Sequence, residues 1–110
     1  MAHARRALLA LLAVPTTVLA LGYVSAWLRA PQCRAEISQE LIRQPVFGRS
    51  FGGERVRVDP ADVTSRIVGP FQVETEYTVP ADLHGAVHIQ RFTVLPWGIV
   101  RGTAQVVYLV

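Results

Sequence analysis

Lysine is absent from the 110 residues, although arginine occurs eleven times. With alanine abundant, that imbalance reads as the coding bias of a GC-rich bacterial genome rather than as arginine chemistry. Cysteine occurs once, which excludes an internal disulfide and a cysteine-based zinc cage. Cys33 is placed just beyond the apolar N-terminus, where it could cross-link two copies in an oxidising compartment. The plainer reading is a thiol without a role. An excess of basic charge is also missing from most of the chain. The net charge of +3 comes from Arg5, Arg6 and Arg29, and residues 30–110 carry eight arginines against eight acids. A neutral domain lacks the basic, aromatic-interleaved face of a nucleic-acid binder.

Charge is missing altogether from Ala7 to Leu28, a run of 22 residues. As a helix rising ~1.5 Å per residue it is ~33 Å long, enough for a hydrocarbon core of ~30 Å. Tyr23 and Trp27 lie one turn apart at its far end, where amphipathic rings favour the headgroup layer. Pro15 is compatible with such a helix because Thr16 and Thr17 can absorb the local disruption. A cleaved signal peptide is the alternative, with Arg5-Arg6 as its basic start and Val24-Ser25-Ala26 as a small-residue cleavage site. Signal cores run ~7–15 residues, however, and this one is longer. A lipoprotein needs a small residue before its cysteine, and Gln32 precedes Cys33. The expected organisation is a basic tail over 1–6, a transmembrane signal-anchor helix over 7–28, a linker over 29–34 and an extramembrane domain over 35–110. The Arg5-Arg6 pair abutting the apolar run favours the N-terminus inside and the domain in the periplasm, at the cell inner membrane.

About 80 residues remain for the domain, so its core is small. Pro31 is expected to end the anchor, and Ala35–Gln44 to form a second, short helix with Ile37 and Leu41 on one face, closed by Pro45. Val46–Val58 reads as a hairpin around Gly52-Gly53, a two-residue loop of the type that needs positive φ at both positions. The Gly48, Gly52 and Gly53 spacing lacks the Lys-Ser/Thr of a phosphate-binding loop. Residues 59–70 are turn-rich, with a short strand at Val63–Val68.

The last forty residues allow faces to be assigned. Phe71, Val73, Thr75, Tyr77 and Val79 alternate with polar residues, the period of a half-buried strand. Pairing Val79 with Ala86 across a loop at Pro80–Gly85 sets Tyr77 by His88, Val73 by Phe92 and Glu74 by Arg91. A three-residue loop at Pro96-Trp97-Gly98 then aligns Val94 with Val100, Gln90 with Ala104 and His88 with Val106. The core face continues through Val100, Gly102, Ala104, Val106 and Tyr108. Val87, Ile89, Val107 and Leu109 form an apolar patch on the other face, which the first hairpin is expected to cover. The fold class expected is α+β: a transmembrane helix, then a short helix packed on a hairpin plus a three-stranded meander. In architecture alone it is similar to cystatin-like and other small α+β folds.

Chemistry-bearing candidates are few. Asp82, His84 and His88 are metal-ligand types, but loop and strand placement removes the shared face that His at i and i+4 has on a helix. Glu74 and Glu76 imitate an acid–base pair, yet Arg91 opposite Glu74 marks a solvated, charge-paired face. Ser50 and Ser65 lack a nucleophile elbow, and no motif links Cys33 to a histidine. No catalytic, cofactor-binding or metal-ligating residue is therefore assigned, and no cofactor. The function expected is a non-enzymatic, membrane-anchored interaction or assembly module, in contact with the lipid bilayer and a membrane-protein partner but not with nucleic acid. The alternatives are a secreted or periplasmic binding domain released after Ala26, and a His-dependent metalloprotein.

Overall fold

The computed structural model describes residues 2–50, 52–81 and 84–109. It is an α+β arrangement: a long N-terminal helix, α1 (Ala2–Arg43), a hairpin of β1 (Phe47–Arg49) and β2 (Arg55–Arg57), and a four-stranded antiparallel sheet. The sheet runs β3 (Thr64–Gly69), β4 (Gln72–Ala81), β5 (His84–Leu95) and β6 (Gly98–Tyr108) in chain order. The short strand anticipated around Val63–Val68 is thus a full member, and the meander has four strands.

The separate anchor, linker and short helix are one element. Pro15 and Pro31 both lie inside α1, and residues 29–34 are helical throughout. At Pro15 the flanking hydroxyls bond back, Thr16 to Leu12 O at 2.8 Å and Thr17 to Ala13 O at 2.7 Å. At Pro31 the helix persists because it is packed on both sides. Ala26 and Ala30 before it, and Cys33, Ile37 and Leu41 after it, form one stripe against the sheet. A proline in a helix interior costs ~3 kcal/mol, and tertiary burial of an amphipathic face outweighs that cost. Cys33 is consequently a buried core residue rather than an exposed cross-linking thiol.

The sheet face meeting this stripe supplies Val73, Phe92 and Val94, all fully buried, with Ile99 and Tyr77 partly so, and Val63, just before β3, is fully buried beside them. The strands run alongside α1. Phe71 N–H donates to Gly22 O at 3.0 Å at one end, and Tyr77 lies by Ile37 and Leu41 at the other. Before Gly22 the helix stands clear of the sheet, which is why the molecule is 75 Å long and only 29 Å across. Between those ends the 3₁₀ turn Pro60–Asp62 is pinned to the helix, Ser38 Oγ donating to Pro60 O at 2.9 Å.

The β4–β5 register is as expected from Val73–Phe92 to Val79–Ala86, and it continues through Ala81–His84. The loop foreseen at Pro80–Gly85 is therefore shorter. The β5–β6 register agrees at Gln90–Ala104 and His88–Val106 but not near the turn. Leu95 pairs with Gly98, so the turn has two residues, and the extra residue appears as a bulge where Arg91 faces Gly102 and Thr103. Gln90 Nε2 closes that bulge, donating to Gly102 O and Arg91 O at 3.0 Å. The displaced bulge reverses the faces of residues 98–101. Val94 pairs with Ile99, Val100 is exposed, and Arg101 turns toward α1.

In the first hairpin Ser50 N–H donates to Glu54 O at 2.8 Å and Gly53 N–H donates to Ser50 O at 3.0 Å, and Phe51, expected to flank the turn, lies outside the described residues. Gly52 and Gly53 do adopt positive φ, 117° and 82°. Val46 and Val58 join the core on the helix side, and β1 packs on β4. The hairpin therefore does not cover the outer patch, where Val107 and Leu109 remain exposed.

Candidate binding cleft

The C-terminal turns of α1 and the far half of the sheet enclose a cleft of about 240 Å³. Ile37 and Leu41 contribute apolar lining, and Glu40, Arg101, Tyr77 and His88 contribute charge and aromatic rings beside several uncharged polar side chains. Arg101 reaches it because of the bulge, its Nη2 lying 2.7 Å from Glu40 Oε2 and its Nε 3.3 Å from Glu36 Oε1. Those hydrogen bonds, chiefly the one to Glu40, raise the arginine pKa further above its already high value. Tyr77 and His88, cross-strand neighbours, stack with ring centroids 5.0 Å apart and planes 11° from parallel. Burial, aided by the negative charge of Glu40, raises the Tyr77 phenol pKa and keeps it protonated.

Small-molecule sites usually enclose ~300–1,000 Å³, so this cleft is sized for a side chain or short peptide segment rather than a cofactor. Its one carboxylate, Glu40, is neutralised by Arg101. The arrangement offers an apolar contact ringed by an ion pair and an aromatic stack, and no activated nucleophile.

The residues singled out from sequence fall elsewhere, apart from His88. Asp82 lies outside the described residues. His84 begins β5, four residues from His88, a separation of ~13 Å along a strand. Among the described residues no group of three His, Cys, Asp or Glu is placed to hold a metal. Glu74 is buried rather than solvated, held by Arg91 at 2.6 Å and Arg66 at 3.0 Å. Hydrogen bonds from Arg91, then Arg66, hold its carboxyl below the usual range, so it stays ionised and is unsuited to proton transfer. Glu76 pairs with Thr64 on one side and Ile89 on the other. Burial, reinforced by Glu36, pushes the Cys33 thiol up to about 11, the opposite of an activated nucleophile. Ser65 pairs with Thr75 in the sheet, and Ser50 opens the hairpin loop. The Glu36–Glu40–Arg101 clamp has no signature in the local sequence. Its acids stand at i and i+4 on one helical face, but their partner depends on where the bulge falls.

Neither family models, nor curated proteins, nor solved structures gave a match to this chain. Among the described residues one helix, α1, is long and apolar enough to cross a membrane.

Proposed function

We propose that the chain is a membrane-tethered, non-enzymatic interaction module, its N-terminus inside and its α+β domain on the periplasmic face of a bacterial inner membrane. The observation that carries this reading is the continuity of α1. Its apolar, uncovered first half passes without a break into a second half that forms one wall of the domain core. A leader cleaved after Ala26 would take away Ala26 and Ser25, both buried, and the Gly22 carbonyl that anchors Phe71. That loss weighs against the secreted alternative. The Arg5-Arg6 pair supports the inward N-terminus, and the arginine-only basic set supports a GC-rich bacterial source.

The surfaces suited to a partner are the cleft and the outer edge of β6. Among the described elements β6 pairs only with β5, and Val106 and Tyr108 along it and Leu109 just after it are exposed. An unpaired strand edge can accept another strand, and tethering raises the effective concentration of the domain for a membrane partner. The test places a photo-crosslinking residue at Tyr108 in the full chain within intact membranes. A discrete adduct with another membrane protein, competed away by unlabelled chain, is the expected result. Crosslinks to lipid alone would refute a protein partner at that edge. Digestion of the domain by protease added to spheroplasts is expected, and protection until lysis would reverse the orientation.

A further inference from the structure

Two turns form the end of the sheet that faces the apolar half of α1. One is Gly69-Pro70-Phe71-Gln72 between β3 and β4, and the other is Leu95-Pro96-Trp97-Gly98 between β5 and β6. Neither contains a charged residue. Both touch α1 between positions 22 and 29: Phe71 N–H donates to Gly22 O at 3.0 Å, and Arg29 Nη2 donates to Pro96 O at 2.7 Å. The contact at Gly22 is close, since a Cβ there would lie 2.6 Å from Pro70 Cβ and 2.8 Å from the Phe71 ring.

Length then determines depth. From Ala7 to Leu21 the uncovered apolar helix is fifteen residues, or ~22 Å at 1.5 Å per residue. A hydrocarbon core of ~30 Å measured from Ala7 reaches to about Ala26, past the level at which Pro70 and Phe71 lie against Gly22. The bilayer that α1 crosses therefore meets the tip of the domain.

The tip is built for that environment. Backbone groups left without partners are costly near hydrocarbon. Pro70 and Pro96 have no N–H to satisfy. Phe71 gives its N–H to Gly22, and its carbonyl accepts from Val94 N–H at 2.9 Å. These two bonds hold Phe71 at φ 59°, a left-handed conformation uncommon for a bulky residue. Trp97 is 79% exposed, and Tyr23 and Trp27 are exposed on the adjoining turns of α1. Indole and phenol rings with one apolar and one polar side favour the interfacial layer.

We propose that the tip of the domain enters the interface of the bilayer that α1 crosses, the Gly69–Phe71 turn at the outer edge of the hydrocarbon and the Pro96–Trp97 turn in the headgroup layer, with Trp97 as a second aromatic anchor. This rests on the reading of α1 as a membrane span. The domain is then held against the membrane at two points, and its cleft and β6 have a fixed height and orientation above the lipid.

The chain has two tryptophans, so each can be isolated. Full-length Trp27→Phe and Trp97→Phe chains are reconstituted into phosphatidylcholine vesicles, with and without bromine near the headgroup end of the acyl chains. In Trp27→Phe, Trp97 is expected to emit at a blue-shifted wavelength, lose intensity to the brominated lipid and resist aqueous iodide. If Trp97 is instead red-shifted and quenched only by iodide, while Trp27 in the Trp97→Phe chain responds to bromine, the tip stands off the bilayer. That outcome overturns the proposal and leaves the span intact. If neither tryptophan responds to bromine, the span and the proposal fall together.

Discussion

Gly22→Ala sets two effects of known size against each other. In a free helix the change is favourable by ~0.8–1 kcal/mol. Here the added Cβ would stand 2.6 Å from Pro70 Cβ and 2.8–2.9 Å from two ring carbons of Phe71, distances real contacts do not reach. The nearest obstructing atom cannot swing away. Pro70 Cβ belongs to a rigid ring, and the backbone beside it is held by the hydrogen bonds of Phe71 to Gly22 O and from Val94 N–H. Overpacking of this kind costs ~1–3 kcal/mol, so it outweighs the helix propensity, and the net effect is a destabilisation of up to ~2 kcal/mol. For a domain of this size ~1 kcal/mol shifts Tm by ~4–8 °C. Near-ultraviolet circular dichroism of the full chain in detergent, followed against temperature, reads the shift. Gly98→Ala is the control, because nothing lies within 4 Å of a Cβ at that position. An unchanged or raised Tm for Gly22→Ala would mean that the sheet does not rest on the helix at Gly22, and the account of the tip would be wrong.

Phe92 is fully buried and Val106 is 41% exposed, so Phe92→Ala should cost ~3–5 kcal/mol and Val106→Ala ~1 kcal/mol or less in denaturation of the full chain. Comparable losses would mean that the cleft end of β6 is packed as tightly as the core. Glu74→Gln should cost ~1–2 kcal/mol, at the lower end for charged hydrogen bonds because Arg66 and Arg91 are themselves well exposed. Since the Glu74 carboxyl is held below its unfolded value, its contribution is present above the ordinary glutamate pKa of ~4.3 and fades as pH falls through the lower folded value. The stability difference between wild type and Glu74→Gln should therefore shrink on acidification, and a difference independent of pH would refute the ion-pair explanation. Cys33, with its thiol pKa raised to about 11 by burial, should react with maleimide only after denaturation, and rapid labelling of the native chain would contradict its place in the core.

The readable parts of this sequence were those governed by alternation. The alternation of Val73, Thr75, Tyr77 and Val79 with polar neighbours, with Arg91 able to meet Glu74, admits one β4–β5 register, and a slip by one would turn the core outward. Beyond Arg91 the same logic held only in total offset. The extra residue of β6 could sit in the turn or further along, and local turn chemistry favoured Gly98. The structure places it at Gly102, where a Cβ would press to 3.2 Å from Arg91 O and Gln90 can cap the freed carbonyls. Arg101 changed faces as a result, and the cleft acquired its ion pair. Pro31 misled for a different reason. Proline is a reliable local breaker, but the stripe from Ala26 through Cys33 to Leu41 becomes a reason to stay helical only once a sheet lies against it. Glu74 shows its partner Arg91 in the sequence but not its burial, because burial depends on how the sheet is covered. The second arginine comes from β3, whose pairing was too short and turn-rich to align in advance.

The central claim is that the apolar N-terminal segment is part of the folded protein and not a detachable leader. Intact-mass measurement of the chain extracted from membranes tests it without probes or substitutions. The expected species keeps the residues preceding Trp27, including Gly22, Ser25 and Ala26 beneath the sheet. A mature form beginning at Trp27 would contradict it.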